Sequence, residues 1–328
     1  MVINRKVSTL QKKLESFMKI MKPKTSLPTQ KIINLSQLPI GGYPGPIHDA
    51  IQRRAYITSY NRQHKHPDWT FEHLTKNSFP GKFQGEPNDV KKDLVPVDRT
   101  KSRFQEDVII PEKFRAKLVN YFKSGYDRGH MVPAGDVKTD QTSLDETFLL
   151  TNIAPQVGVG FNRDYWAHLE EFCRRLLFVE NFTDVYVYTG TAYLPKKDPN
   201  TGKFYVKYEV IGNPPNISVP THFYKVILAI KNKNQKDIDL NIDKDSRDND
   251  DKIYALATFV LPNENIPSST PISNFSVPLD ALERTTGLTF FENLLTSKQV
   301  LHLCEVIECK LVPNPKYFAN KANNDDKK

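Results

Sequence analysis

The sequence predicts an α+β fold built on a largely antiparallel central sheet flanked by helices, and three observations carry that prediction. Runs of β-branched and aromatic residues with strand-like patterning recur along the chain with loops between them. Only a few stretches have the 3.6-residue apolar period of a helix. The two kinds of element do not alternate as a parallel βαβ sheet would require. A length of 328 residues is enough to bury a core without staples, and a composition of 38% hydrophobic and 26% charged residues fits a globular chain. No apolar run approaches the roughly 20 residues that span a bilayer.

Taken in order, residues 1–27 read as a basic amphipathic arm. Val7, Leu10, Leu14, Phe17 and Met21 recur at spacings of three and four, with lysines between them. The arm reads either as a mitochondrial-type targeting segment or as a solvated, partner-binding basic arm. From Pro28 to about Ile57 the chain is loop-like, broken by Pro39, Gly41, Gly42, Pro44, Gly45 and Pro46. Strands are expected at Arg54–Tyr60 and Trp69–Leu74, then a helix at Pro111–Phe122 with proline in its first turn. Further strands are expected at Thr147–Ile153, Asp184–Thr189, Phe204–Ile211, Phe223–Ile230 and Ile253–Leu261, with a helix from about Asn162 to Phe178. The stretch 231–252 holds six Lys or Arg and seven Asp with almost no apolar residue, and reads as a solvated insertion within a single domain spanning 28–313. Residues 314–328 form a polar tail.

Charge has to be located before it is used. Of the formal +8, the arm carries +6 and the tail +2, so the core is neutral overall and global basicity says little about its substrate. Cys173, Cys304 and Cys309 are too few and too unevenly spaced for a secreted disulfide framework, which implies reduced or buried thiols in a reducing or redox-neutral compartment.

The chemistry concentrates in Asp127-Arg128-Gly129-His130, in Thr151–Gln156 and in the helix that follows. A histidine titrating near neutrality can take a proton from water, glycine permits close backbone approach, and arginine offers a fork for phosphate oxygens. On a helical wheel with Asn162 at zero, Trp166, Leu169, Phe172, Cys173, Leu176 and Leu177 form the buried face. Glu170 and Arg174 run along one edge of it, while Asp164, His168, Glu171 and Arg175 point away. Asn162 alone reads equally as an N-cap. His130 together with Asn162 and Glu170 is the less ordinary combination.

These residues resemble the DNA/RNA non-specific endonucleases of the ββα-metal superfamily, and among them the mitochondrial endonuclease G group in its fungal form. The resemblance is carried by DRGH at 127–130, TNIAPQ at 151–156 and FNRDYWAHLEEFCR at 161–174. It extends through YPGPIHD at 43–49, EHLT at 72–75, SRFQED at 102–107, LPKKDP at 194–199 and EVIGNPP at 209–215. It covers roughly residues 40–312 and implies a ββα-metal active-site motif.

The same resemblance implies a set of roles. His130 would be the general base, and Asn162 the only direct protein ligand to a divalent cation, Mg²⁺ with Mn²⁺ as an alternative. Glu170 and Asp127 would hold metal-bound waters, and Asn152 would fix local geometry. Arg174, Arg128 and Arg103 would meet phosphate or the charge of the transition state. Cleavage of DNA and RNA to 5′-phosphate products, a homodimer, mitochondrial localisation and an association with mitochondrial membranes follow from the same source. The rival readings are a catalytically idle nucleic-acid or partner-binding relative and a 5′ exonuclease on the same scaffold.

Other signals are set aside. Gly158-Val159-Gly160 lacks the third glycine of a dinucleotide fingerprint, because position 163 is Arg. His302, Cys304 and Cys309 match no common zinc spacing. His64 and His66 are expected in a polar loop, His73 and His168 in structural or surface roles, and Tyr186 and Tyr188 in sheet packing.

Overall fold

A computed structural model describes residues 49–80, 97–233 and 251–312, all within one compact unit. The early strands are β1 (Asp49–Gln52), β2 (Tyr56–Asn61), β3 (His66–Thr75), β4 (Asp127–His130), β5 (Ile153–Gln156) and β6 (Asp184–Ala192). Four two-residue strands follow: β7 (Lys196–Lys197), β8 (Phe204–Tyr205), β9 (Val210–Ile211) and β10 (Ile217–Ser218). The chain then forms β11 (His222–Asn232), β12 (Lys252–Pro262) and β13 (Val300–His302). The helices are α1 (Leu118–Tyr121), α2 (Gln141–Glu146), α3 (Trp166–Phe178), α4 (Leu279–Thr286), α5 (Glu292–Leu295) and α6 (Leu303–Val306).

Seven strands make the central sheet in the order β1-β2-β3-β6-β11-β12-β13. Every neighbouring pair is antiparallel except β12 with β13. The middle strands read as near-continuous apolar runs because both faces are covered. On β11, Phe223, Ile227 and Ala229 join Trp166, Leu169, Phe172, Cys173 and Leu176 of α3 in one core. Tyr224, Val226, Leu228 and Ile230 face the other way, onto Leu282 of α4 and onto Leu288, Phe290 and Phe291. Tyr188 lies in this second core, edge-on to both phenylalanine rings, and Tyr186 is buried beside it. The layers are therefore helix, sheet, helix, and the largely antiparallel α+β expectation describes them.

Several local expectations fail, each for a tertiary reason. The Pro111–Phe122 helix is a short 3₁₀ turn at Glu112–Phe114 and the single turn of α1, with extended backbone at Arg115 and Lys117 between them. Tyr60 pins that break, donating from its hydroxyl to the Phe114 carbonyl at 3.0 Å and accepting the Ala116 N–H at 3.1 Å. The Thr147–Ile153 strand is instead a tight turn at Leu150–Asn152, fixed by Leu150 N–H to the Gln105 carbonyl at 2.9 Å, and β5 starts only at Ile153. Phe204–Ile211 pairs only at its ends, leaving Val206 and Tyr208 exposed. The loop expected up to Ile57 contains β1, which pairs with β2.

His66 opens a buried strand and does not lie in a polar loop. His168 is buried despite its place on the wheel, because the core beneath α3 is also packed by the 266–275 and 303–311 segments. The thiol reading of Cys304 and Cys309 is also corrected. They form a disulfide across five residues of a local turn, a lone bridge that framework counting does not anticipate, while Cys173 is a buried free thiol. The arm, the tail and residues 234–250 of the insertion lie outside the described residues.

Candidate active site

β4 and β5 pair as a small antiparallel ribbon, Asp127 opposite Gln156 and His130 opposite Ile153, and the chain then turns into α3. Two strands and a helix thus present the motif segments side by side. Gly129 is required by contact: a Cβ there would lie 2.1 Å from Gln156 Oε1. The ribbon is tied to its surroundings at two points. Thr58 Oγ1 donates to the Thr151 carbonyl at 3.1 Å. Asn263 accepts the Val157 N–H at 2.8 Å and donates to the Pro155 and Pro220 carbonyls at 3.1 and 3.0 Å.

His130 ends β4 between two aromatic rings. Phe104 lies 5.3 Å away, tilted, and Phe148 4.8 Å away, edge-on. Arg128 places its guanidinium over the other side of Phe104, 4.5 Å from the ring centroid. Burial pulls the imidazole down to about 3, and the charge of Arg99 acts the same way. At neutral pH the ring is therefore uncharged. Its Nε2 is buried with no hydrogen-bond partner, a costly arrangement for a merely structural group.

Asn162 does not begin a regular helix. Gly158–Tyr165 form a wide turn in which the Asn162 N–H reaches back five residues to the Val157 carbonyl at 2.9 Å, a π-type distortion of the kind frequent at functional sites. Gly160 makes the turn feasible: its φ is +82°, and a Cβ would meet Asn265 Oδ1 at 1.9 Å. The Asn162 side chain donates from Nδ2 to Asp127 Oδ2 at 2.8 Å. Arg163 grips the same carboxylate through two nitrogens, at 2.7 and 2.5 Å. Burial alone would raise the Asp127 pKa, but the Arg163 and Asn162 hydrogen bonds outweigh it and hold the carboxyl below its usual range. With Nδ2 anchored, Asn162 Oδ1 is left as a hard oxygen donor.

Glu170 and Arg174 lie one turn apart on α3. Burial pushes the Glu170 carboxyl up to about 7, opposed by Lys225 and Arg174, reinforced by Asp136, and opposed again by Arg99. Arg174 pairs with buried Asp136 and, at 2.8 Å, with Glu171. Its guanidinium is thus occupied within the protein. Asn152 is fully buried; it accepts the Val132 N–H at 3.0 Å and donates to the Val132 and Thr147 carbonyls at 3.0 and 2.9 Å, clamping the chain just after His130. Arg103 is exposed and bonded to the carbonyls of its own loop at Thr100 and Ser102.

Sequence reasoning missed Phe104, Phe148, Arg163 and the fully buried Gln156, whose two amide atoms have no hydrogen-bond partner. Of these, only Gln156 and Arg163 lie inside the recognised motifs.

Among the described residues no three His, Cys, Asp or Glu side chains converge as a metal cage. The donor set is one amide oxygen with a desolvated carboxylate on the following helix. That fits Mg²⁺, a hard cation that keeps most of its water and uses few protein ligands.

Residues 35–297 match the DNA/RNA non-specific endonuclease family. A mitochondrial nuclease of Saccharomyces cerevisiae is 47% identical over 289 residues, 87% of this chain and 78% of the relative. The mitochondrial endonuclease G of Caenorhabditis elegans is 37% identical over 253 residues, 77% of this chain and 71% of the relative. Among solved structures, a chain of the crystal structure of the EndoG/EndoGI complex superposes with a TM-score of 0.66 at 40% identity, covering 84% of this chain and 98% of its own.

Proposed function

The chain belongs to the DNA/RNA non-specific endonuclease family and is a mitochondrial nuclease enzyme, and from that premise we propose that it is a Mg²⁺-dependent, sugar-non-specific endonuclease that leaves 5′-phosphate ends. The observation that carries the mechanism is the uncharged, buried His130, whose Nε2 lacks a hydrogen-bond partner, in the same ββα unit as an asparagine locked by Asp127.

In this reading His130 Nε2 takes a proton from a water as that water attacks phosphorus in line, and the bond from phosphorus to the 3′ oxygen breaks. The phosphate stays on the 5′ side, and the 3′ oxygen departs as a hydroxyl. Asn162 Oδ1 would hold the cation, with Glu170 accepting hydrogen bonds from its water shell. When bound, the cation neutralises phosphate charge and polarises the leaving oxygen. Asp127 orients the Asn162 amide, Asn152 fixes the backbone after His130, and Arg128, stacked on Phe104, meets phosphate. Arg174 and Arg103 are the more remote contributors, since internal acceptors already engage both. All of these groups address phosphate or metal and none reads a base, which supports cutting of both DNA and RNA. A homodimer and a mitochondrial membrane association belong to the same proposal through the family resemblance.

Supercoiled plasmid provides the test. The expected result is nicking that requires Mg²⁺, stops in EDTA, and leaves ends that ligase joins without prior phosphorylation. Undiminished cutting in EDTA, or no action on closed circles, would overturn the proposal.

A further inference from the structure

The sheet face beneath α3 carries two ionisable side chains that the mechanism above does not use. Lys225 on β11 and Glu72 on β3 are 1% and 2% exposed. The register puts them on the same side. Glu72 pairs with Val187 and Val187 with Ile227, while two residues along the strands Thr70, Thr189 and Lys225 form the adjacent row. Val187 and Ile227 belong to the core under α3, so Lys225 and Glu72 face that helix as well.

Lys225 Nζ donates to Thr189 Oγ1 at 2.7 Å and sits 5.1 Å from the centroid of the Trp166 ring. Trp166 is the first residue of α3, Glu170 lies four residues on, and Arg174 four beyond that, along one edge of the helix. The Oε2 of Glu72 is buried with no hydrogen-bond partner.

A buried ammonium is an expensive way to fill space. Methionine has nearly the same length and shape without the desolvation cost, so packing alone does not account for lysine here. The electrostatics indicate what the charge serves. After burial, Lys225 is the largest influence on the Glu170 carboxyl and favours its ionised form; Arg174 and Arg99 act with it, Asp136 against it. Burial drives Glu72 well above the usual carboxylate range, with Asp136 and Glu170 pushing the same way against Lys225 and Arg174. Of the two carboxyls near the ammonium, Glu72 is therefore the one that gives up its charge, and the field of Lys225 is left to Glu170.

We propose that Lys225, with Glu72 beside it, is a positioning residue for Glu170, a counter-charge set in the sheet beneath α3 that keeps the Glu170 carboxylate ionised and aimed into the site. The inference rests on the role given to Glu170 above.

A double-mutant cycle with a stability readout tests it, using Lys225→Met, Glu170→Gln and the two together. Lys225→Met is expected to fold with an unchanged or higher Tm, because it removes a buried charge. It is expected to lose about tenfold or more in kcat at pH 7 with KM for nucleic acid nearly unchanged, and to move the acid limb of the rate profile up by about one pH unit. Calorimetric titration of the folded variant with Mg²⁺ is expected to show weaker binding. In the Glu170→Gln background the same substitution is expected to cost less than about twofold, since the charge has lost its object. Glu72→Gln, which mimics a neutral carboxyl, is expected to keep the wild-type pH profile.

Lys225→Met with wild-type kcat and pH profile overturns the inference while leaving the role of Glu170 intact. An equal loss with and without the Glu170 carboxylate overturns it too. So does a Lys225→Met chain that fails to fold, because the ammonium is then holding the sheet together; Lys225→Gln repeats that stability test independently. A fully active Glu170→Gln removes the premise, and the inference falls with it.

Discussion

His66 and His130 are both buried, and burial drags both imidazoles down to about 3. Their surroundings differ in one respect. His66 has both nitrogens engaged, Nδ1 with the Pro67 carbonyl at 2.9 Å and Nε2 with the Tyr193 hydroxyl at 2.7 Å, and its ring stacks in a cluster with His64 and Tyr193. His130 is enclosed by Phe104 and Phe148, yet its Nε2 has no hydrogen-bond partner. A satisfied buried imidazole contributes to stability, whereas an unsatisfied one detracts from it. The second arrangement makes sense where the lone pair is reserved for a proton that arrives with the substrate water.

The sharpest way to break this contrast is to remove each ring in turn. His130→Ala is expected to lower kcat by about 10² to 10⁴, while unfolding in urea shifts by no more than about 1–2 kcal/mol, because no bond at Nε2 is lost. Near wild-type nicking by folded His130→Ala would remove it from the mechanism. His66→Ala is expected to do the reverse, costing about 2–4 kcal/mol through a cavity and a stranded Tyr193 hydroxyl. The fraction that remains folded should turn over at the normal rate; a rate defect there would make the two histidines equivalent.

A subtler comparison uses pH. Both folded-state pKa values lie below the unfolded value of about 6.5. The stability that depends on keeping these rings neutral is therefore fully present above about pH 6.5 and lost as pH falls toward 3. Urea midpoints measured across that window should fall with acidity in the wild type and fall less steeply in His66→Ala. Parallel curves would mean that His66 does not titrate abnormally.

The smallest expected effect is that of deleting residues 1–27. Plasmid nicking should be unchanged, while a tagged chain should no longer reach mitochondria in cells. Continued import would favour the reading of this segment as a basic nucleic-acid arm, as would weakened, less salt-sensitive binding by the truncated protein.

What the sequence discloses follows how local each cause is. The long apolar runs of β6, β11 and β12 announce themselves, because burial on two faces leaves a continuous pattern. His130, Asn162 and Glu170 are legible because one motif and one fixed spacing hold them. The Pro111–Phe122 helix misleads because Tyr60, more than fifty residues away, takes the backbone groups that a helix would use. Phe104, Phe148 and Lys225 escape notice for a related reason. Each reaches the catalytic unit from a separate segment, and nothing in its own neighbourhood marks it. Arg163 looked like a disqualifying residue in a glycine pattern, whereas its contact with Asp127 gives it a purpose.

The pairing of β11 with β12 also sets a distance. The ladder runs from His222 opposite Pro262 to Asn232 opposite Lys252, and Asn263, which grips the catalytic ribbon, follows directly on its first rung. Eleven residues of strand, at about 3.3 Å each, separate that rung from the point where the charged 231–252 stretch leaves the sheet, roughly 35 Å in all. A graft, a fluorophore or a purification handle placed there would hang from the far end of a rigid two-stranded lever, remote from the phosphodiester being cut.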